Sequence, residues 1–340
     1  MRQIEKTYKK GLLRKFLIKI CRLLGYELID QSDMSFITSL NKESASIVGK
    51  KSITLPLGEI KNKRKIRSLD IILKTCTAVN LVTQNKKRIF EHEKSEYTFR
   101  TINSLLKSLK KSKQYINNIN LQITIIDSGS SKGDKEKMQE ILEKSKFKFN
   151  LIELNISDYL QRIKVIKKNN NQIESNMKST MASIIKSFEI SKNLDDLVYF
   201  VEDDYIHSVE CISEMLSAYE KFSTIFEDEV FIIPVDYPYL YQKNLSTNIL
   251  IGQNYHWRSV KESLLTFLTS KKMINKYYNE LVKMGEIEHE PYATILHNLY
   301  DKEKCFSPMP SLALHCTNVN SIFGLSPTIN FKKLWEDNKL

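Results

Sequence analysis

The chain has 340 residues, of which 41% are hydrophobic and 27% charged, so it belongs with globular rather than disordered proteins and is long enough for one large α/β domain with an extension, or for two domains. A formal net charge of +12 suits anionic partners: nucleic acid, an acidic membrane surface or a phosphorylated small molecule. Five scattered cysteines without CxxC spacing (Cys21, Cys76, Cys211, Cys305 and Cys316) exclude a disulfide framework and a zinc knuckle, and make a reducing cytoplasm the expected setting.

Residues 9–24, KKGLLRKFLIKICRLL, place Leu12, Leu13, Phe16, Leu17, Ile20, Leu23 and Leu24 at helical spacing, with basic residues largely opposite. The pattern predicts a basic amphipathic helix, which either lies peripherally on an anionic membrane or docks on its own domain. Arg14, Lys15, Lys19 and Arg22 interrupt the apolar residues, so neither a cleaved signal peptide nor a membrane span is expected. Residues 30–70 are polar and read as an irregular linker with a short strand near Ile53 to Leu57. The linker ends in the basic run KNKRKIR, 61–67, which has no interleaved aromatic residue to stack on bases, so nucleic acid is not an expected partner.

From about residue 76, strand-like runs alternate with helical patterns: TAVNLVT (77–83) then a helix near 97–109, LQITIID (121–127) then a helix near 135–142, FNLIELN (149–155) then a helix near 180–190, and LVYFV (197–201). That rhythm predicts right-handed βαβ units, a mostly parallel sheet with helices on both faces, and a Rossmann-like α/β class. The asparagine-rich KKNNNQ, 167–172, reads as a solvated loop. The expected division is an N-terminal extension over 1–74, a ligand-binding half over 75–220, and a second half of the same domain over 221–340.

In an open α/β sheet the ligand site lies beyond the carboxyl ends of the strands. Three such ends stand out: TQNKKR (83–88), DSGSSKGD (127–134) with glycines that permit positive φ, and the carboxylates Glu202, Asp203 and Asp204. Adjacent carboxylates at a buried strand end need a cation. Hard oxygen ligands suit Mg²⁺ or Mn²⁺ bridging to substrate phosphates, and one or two protein carboxylates suffice. In the alternative, Asp204 or Ser208 caps the helix that runs through Cys211.

The three ends in this order resemble the GT-A fold glycosyltransferases, particularly the inverting family-two-like group. LVTQNKKR…EYTFRTINSLLKSL resembles that group's opening strand, loop and first helix, ITIIDSGSSKGD its second strand and acidic turn, and LVYFVEDDYI its strand carrying the DxD motif. The resemblance implies a metal-dependent transfer of sugar from a nucleoside-diphosphate donor to a glycan or lipid-linked acceptor. It implies that Thr83 and Asp127 hold the base, that Asp203 faces the ribose, and that Asp204 binds the metal. Glu202 takes the first motif position, and Lys178, in NMKSTMASIIKSFEI, is a phosphate or base contact. Late in the chain, GEIEHEPYATILHNLY places Glu288 and Glu290 ahead of a helix expected to start at Pro291, and the resemblance makes Glu290 first choice and Glu288 second for the general base. His315, after a short apolar strand, is the implied late histidine of the metal shell. Ahead of both, GQNYHWRS (252–259) suits either sugar rings or the core.

The competing enzyme is a sugar nucleotidylyltransferase, which would carry a glycine-rich phosphate loop after its first strand, whereas TQNKKRIF has no glycine. The competing non-enzymes are a sugar-binding scaffold and a nucleic-acid binder.

Overall fold

The computed structural model describes residues 12–26, 61–78, 89–166, 171–242, 246–288, 294–316, 325–326 and 328–340. The chain divides into two compact units, the second of which takes in everything from Ile60 to Leu340. In the first unit, helix α1 spans Leu12–Leu23 and stops where Gly25 turns to φ +84°. There Tyr26 N donates to the Cys21 carbonyl at 2.8 Å and Gly25 N to that of Arg22 at 3.1 Å, a Schellman closure that needs the glycine.

The second unit is a mixed α/β domain built on a nine-stranded sheet with helices around it. Its elements, in order, begin with β1 (Ser68–Thr75), α2 (Lys94–Lys111), α3 (Lys113–Ile116), β2 (Asn120–Asp127), α4 (Lys132–Ser145) and β3 (Phe149–Glu153). Next come α5 (Asn171–Ser191), β4 (Leu197–Glu202), β5 (Tyr205–His207), α6 (Cys211–Phe226), β6 (Phe231–Ile232), β7 (Ile249–Ile251), β8 (His256–Ser259) and β9 (Phe267–Ser270). The chain closes with α7 (Lys271–Lys276), α8 (Tyr278–Glu286), α9 (Thr294–Tyr300), β10 (Cys305–Met309), β11 (Ala313–His315) and α10 (Phe331–Asp337).

The sheet order is β3-β2-β1-β4-β9-β6-β10-β8-β7. Strands β3, β2, β1 and β4 are mutually parallel; β9 runs against β4 and β6, and β8 against β10 and β7, so only β9 and β8 oppose the common direction. Because the chain moves outward from β1 through β2 to β3 and then returns to the other side of β1 with β4, the order reverses between β1 and β4. That reversal opens a crevice at the carboxyl ends of these two strands. Both are covered on both faces, and the sequences LVYFV and LDIIL accordingly read as nearly continuous apolar runs.

The first strand is therefore not the expected 77–83. Thr77 and Ala78 form a turn, the rest of that stretch and Ile53 to Leu57 lie outside the described residues, and the strand is SLDIILKT, which begins in the last residues of the presumed linker. The basic run before it is a clamp. Arg64 pairs with Asp196 and, at 3.0 Å, with Glu229, while Arg67 N donates to Asp196 at 2.8 Å. The presumed loop 167–172 gives way to α5 from Asn171, and α7 and α8 follow one another with a break at Tyr277. Where a side chain would obstruct the α5–α8 packing, glycine stands: a Cβ on Gly285 would lie 2.5 Å from the Met181 carbonyl oxygen.

A small second core gathers Tyr97, Ile206, Leu314, Cys316 and Trp335. Trp335 of α10 stacks on Phe90 at 4.0 Å and covers the Arg100 guanidinium at 4.1 Å, locking α10 and α2 against the separate β5–β11 ribbon. Trp257 of the GQNYHWRS segment is core, edge-on to Phe222. Among the described residues, no helix is long and apolar enough to cross a membrane.

Candidate active site

The crevice at the reversal point is lined by the turns that leave each strand. After β1, Thr75 Oγ1 donates to Asp127 Oδ2 at 2.8 Å, and after β2, Gly129 N and Ser130 N donate to Asp127 Oδ1 at 3.2 and 2.9 Å. The buried Asp127 thus spends both oxygens on ordering its own turn. Gly129 sits at φ +148°, where a Cβ would also press on Cys76 Sγ at 3.2 Å; Gly133 is instead inside α4, whose N-cap is Ser131. Thr77 ties the two turns together, donating from Oγ1 to Asp134 at 2.6 Å and from its amide to Ser130 Oγ at 3.0 Å. Beside this lacework, a cavity of about 440 Å³ opens between the ends of β2 and β3, lined by Asp127, Ser130, Lys135, Asn155 and Ser157 among others.

Each member of the acidic triplet meets a different basic side chain. Glu202 lies 3.5 Å from Lys74 Nζ, and its amide is held by Thr266 Oγ1 at 3.1 Å. Asp203 forms a buried pair with Lys94 at the start of α2, and its other oxygen accepts from Thr98 Oγ1 at 2.9 Å and from Cys76 N at 3.1 Å. Asp203 therefore joins the β1 turn, the β4 turn and α2, and its carboxylate is already surrounded by donors. Asp204 lies 3.7 Å from His315 Nε2.

Strand register explains that last approach. In the β5–β11 ribbon, His315 is opposite Tyr205, and Cys316 N donates to the Asp204 carbonyl at 2.8 Å, so the histidine arrives beside the carboxylate that precedes β5. The imidazole lies flat on Tyr205 at 4.4 Å and edge-on to Tyr237 at 6.2 Å, and the two phenols share a hydrogen bond of 2.7 Å. Burial, seconded by the neighbouring carboxylates, pushes both phenols well above their usual range, so they stay protonated and neutral. Asp204 does not cap α6, whose N-cap is Glu210 without a side-chain bond.

The second half of the chain brings Asp236 to the same end of the sheet, where it pairs with Arg258 at 2.6 Å and accepts from Tyr241; Tyr241 also lies over the Arg258 guanidinium at 4.1 Å. Burial raises the Asp236 carboxyl, opposed by those two partners. Glu288 is buried, and its Oε2 accepts from Ile166 N at 2.7 Å. It comes just after α8, which packs on α5 at Met181, and near that turn of α5 Ser179 donates to the Ser128 carbonyl at 2.8 Å. The Glu288 segment is thereby tied through α5 to the turn after β2. Lys178 pairs with Glu174 along α5 at 2.6 Å. Thr83 and Glu290 lie outside the described residues, as do most of TQNKKR and the start of the helix expected at Pro291.

Sequence reasoning overlooked Lys74, Lys94, Thr98, Tyr205 and Tyr237. Tyr205 had a signal, since it directly succeeds the acidic triplet. The lysines had none, because their partners are distant in the chain.

Among the described residues, no three His, Cys, Asp or Glu side chains converge as a complete metal shell. Asp204 and His315 offer one carboxylate oxygen and one imidazole nitrogen. Those two donors fit a divalent cation whose shell is completed by diphosphate oxygens and water, the mode of binding typical of substrate-bridging metals.

No known protein family matches the sequence, and no curated protein does. Among solved structures, the chain is similar to the galactosyltransferase LgtC in complex with donor and acceptor sugar analogs, at 11% identity and a TM-score of 0.33, over 69% of this chain and 70% of that one. It is similar to residues 1–349 of S. aureus TarS in complex with UDP, at 10% identity and a TM-score of 0.34, over 64% of this chain and 55% of that one. UDP-glucose pyrophosphorylase complexed with UDP-glucose is similar at 10% identity and a TM-score of 0.39, over 76% of this chain and 96% of that one. With identities and superposition scores this low, the function of the chain has to be argued from its own residues.

Proposed function

We propose that the chain is a glycosyltransferase that moves a sugar, with inversion, from a nucleoside-diphosphate sugar to a hydroxyl of a glycan or lipid-linked acceptor. The reading is carried by the pairing of Asp204 with His315 at the mouth of the crevice between β1 and β4. The neighbouring cavity at the ends of β2 and β3 is of a size to take a nucleoside. All five cysteines are free thiols, in keeping with work in the cytoplasm.

In the reaction the acceptor oxygen forms a bond to the anomeric carbon as the bond from that carbon to the phosphate oxygen breaks. The diphosphate departs with the electron pair, and the acceptor proton passes to a carboxylate base. Asp204 and His315 would hold Mn²⁺ or Mg²⁺, with the imidazole nitrogen favouring Mn²⁺, and the cation when bound supplies Lewis-acid neutralisation of the departing diphosphate. Tyr205 holds the His315 ring flat and so keeps its Nε2 turned to Asp204. Lys74 and Lys94 hold Glu202 and Asp203 in place, which relieves repulsion within the triplet before any donor arrives. Asp203 faces the ribose only by lending one of its occupied oxygens. Thr83, Asp127 and Lys178 are assigned to the nucleotide. For the base, Glu290 ranks above Glu288, whose carboxylate already accepts from a backbone amide.

The test is release of nucleoside diphosphate from a panel of nucleotide sugars with Mn²⁺ and with chelator. Acceptor-dependent, chelator-sensitive release is expected. Pyrophosphate-dependent release of nucleoside triphosphate would instead identify a nucleotidylyltransferase, and no turnover with any donor would leave a binding protein.

A further inference from the structure

The transfer reaction makes no use of α1, which has the strongest amphipathic pattern among the described helices. From Lys6 to Tyr26 the sequence has seven basic residues, Lys6 included, and no acidic one. Within α1, at 100° per residue, Leu13, Phe16, Leu17, Ile20 and Leu23 fall on one stripe, and Leu24 continues it. The opposite arc carries Arg14, Lys15, Lys19 and Arg22.

The stripe is uncovered: Leu13 is 73% exposed, Leu23 81% and Leu24 69%, with Phe16, Leu17 and Ile20 also exposed. Tyr26, just past the glycine stop, is 72% exposed. A second copy of the chain is a poor occupant, because pairing two such helices brings two clusters of positive charge together. An anionic lipid surface answers both halves of the pattern.

We propose that α1 lies in the headgroup region of an anionic bilayer, with Leu13, Phe16, Leu17, Ile20, Leu23 and Leu24 among the acyl chains and the basic arc among the lipid phosphates. The helix is about 18 Å long, from its residue count and the rise per residue, so it lies along the surface and does not span it. Tyr26 sits at the helix end as an interfacial aromatic anchor. The inference is independent of the transfer reaction, though a lipid-linked acceptor would share the surface.

The test is co-sedimentation of the full chain with vesicles of phosphatidylcholine alone and of phosphatidylcholine with phosphatidylglycerol. Binding is expected to the anionic vesicles only, and to weaken as salt rises. Lys15→Glu with Lys19→Glu removes two attractive charges and adds two repulsive ones, at about fivefold each, so a loss on the order of a hundredfold or more is expected. Phe16→Ser with Leu17→Ser should abolish binding while UDP affinity and the circular dichroism spectrum stay unchanged. A Phe16→Trp reporter should shift to the blue only with anionic vesicles. Equal binding to both vesicle types, or to neither, overturns the proposal. So does a dimer by light scattering that Phe16→Ser with Leu17→Ser converts to monomer, since the stripe would then belong to a second copy.

Discussion

Removing the Lys94 ammonium while keeping its bulk, as in Lys94→Met, leaves the Asp203 side chain buried and without its counter-charge. The two side chains are 8% and 11% exposed, so solvent screens little of the pair. Breaking a buried pair from one side typically costs about 3–5 kcal/mol. Asp203 would still accept from Thr98 Oγ1 at 2.9 Å and Cys76 N at 3.1 Å, which places the expected cost near the low end, at about 3 kcal/mol. Asp203→Asn should cost somewhat less, about 2 kcal/mol, because the amide oxygen keeps one neutral acceptor while Lys94 loses its partner. The double variant has no orphaned charge, so its loss should fall short of the sum of the singles by about 2 kcal/mol. Urea unfolding of the four proteins gives the cycle, and calorimetry with UDP and Mn²⁺ gives the second axis. The reasoning fails if the singles are each within about 0.5 kcal/mol of the parent and simply additive. It also fails if Asp203→Asn abolishes UDP binding at full stability, which would make Asp203 a ligand and not a brace.

Asp204→Ala should reduce UDP affinity in Mn²⁺ to its value in chelator while barely moving the melting temperature, because the bond to Cys316 N uses the Asp204 backbone carbonyl and survives; calorimetry and a thermal melt check both halves. His207 is fully buried between Tyr199 and Ser104, and burial lowers its pKa from 6.5 to about 3. Its folded-state pKa is depressed, so the unfolded chain binds the extra proton, and the contribution is whole above about pH 6.5 and lost as pH falls toward 3. About 2 kcal/mol should be gone by pH 5. A His207→Gln variant tracked by urea unfolding should flatten that part of the pH profile. Gly285→Ala would drive a methyl onto the Met181 carbonyl, a backbone atom that cannot swing aside, so a loss of about 2 kcal/mol is expected from the same measurement.

Much of the alternation of strands and helices was legible because β2, β3 and β4 and the helices between them carry strong periodicity. The first strand was not. SLDIILKT contains Asp70 and Lys74 and comes after a basic run, so it reads as polar, whereas in the fold Asp70 is half-buried with its carboxyl pushed up to about 6 by burial and by Asp195. The acidic triplet and the late histidine could be singled out by chemistry, yet their meeting depends on the β5–β11 register, which no local pattern encodes. The same holds for Lys74 and Lys94, ordinary surface lysines in the sequence, which become internal counter-charges only when strand ends converge.

The Arg64 clamp sets a practical limit on shortening the polypeptide. Asp196 and Glu229 are largely shielded from solvent and share that one guanidinium, and Tyr219 donates to Glu229 from beneath. A fragment trimmed to start at the first strand would strand two carboxylates without compensation at the amino-terminal rim of the sheet. Anyone preparing the domain by itself should keep the chain from Lys61 onward.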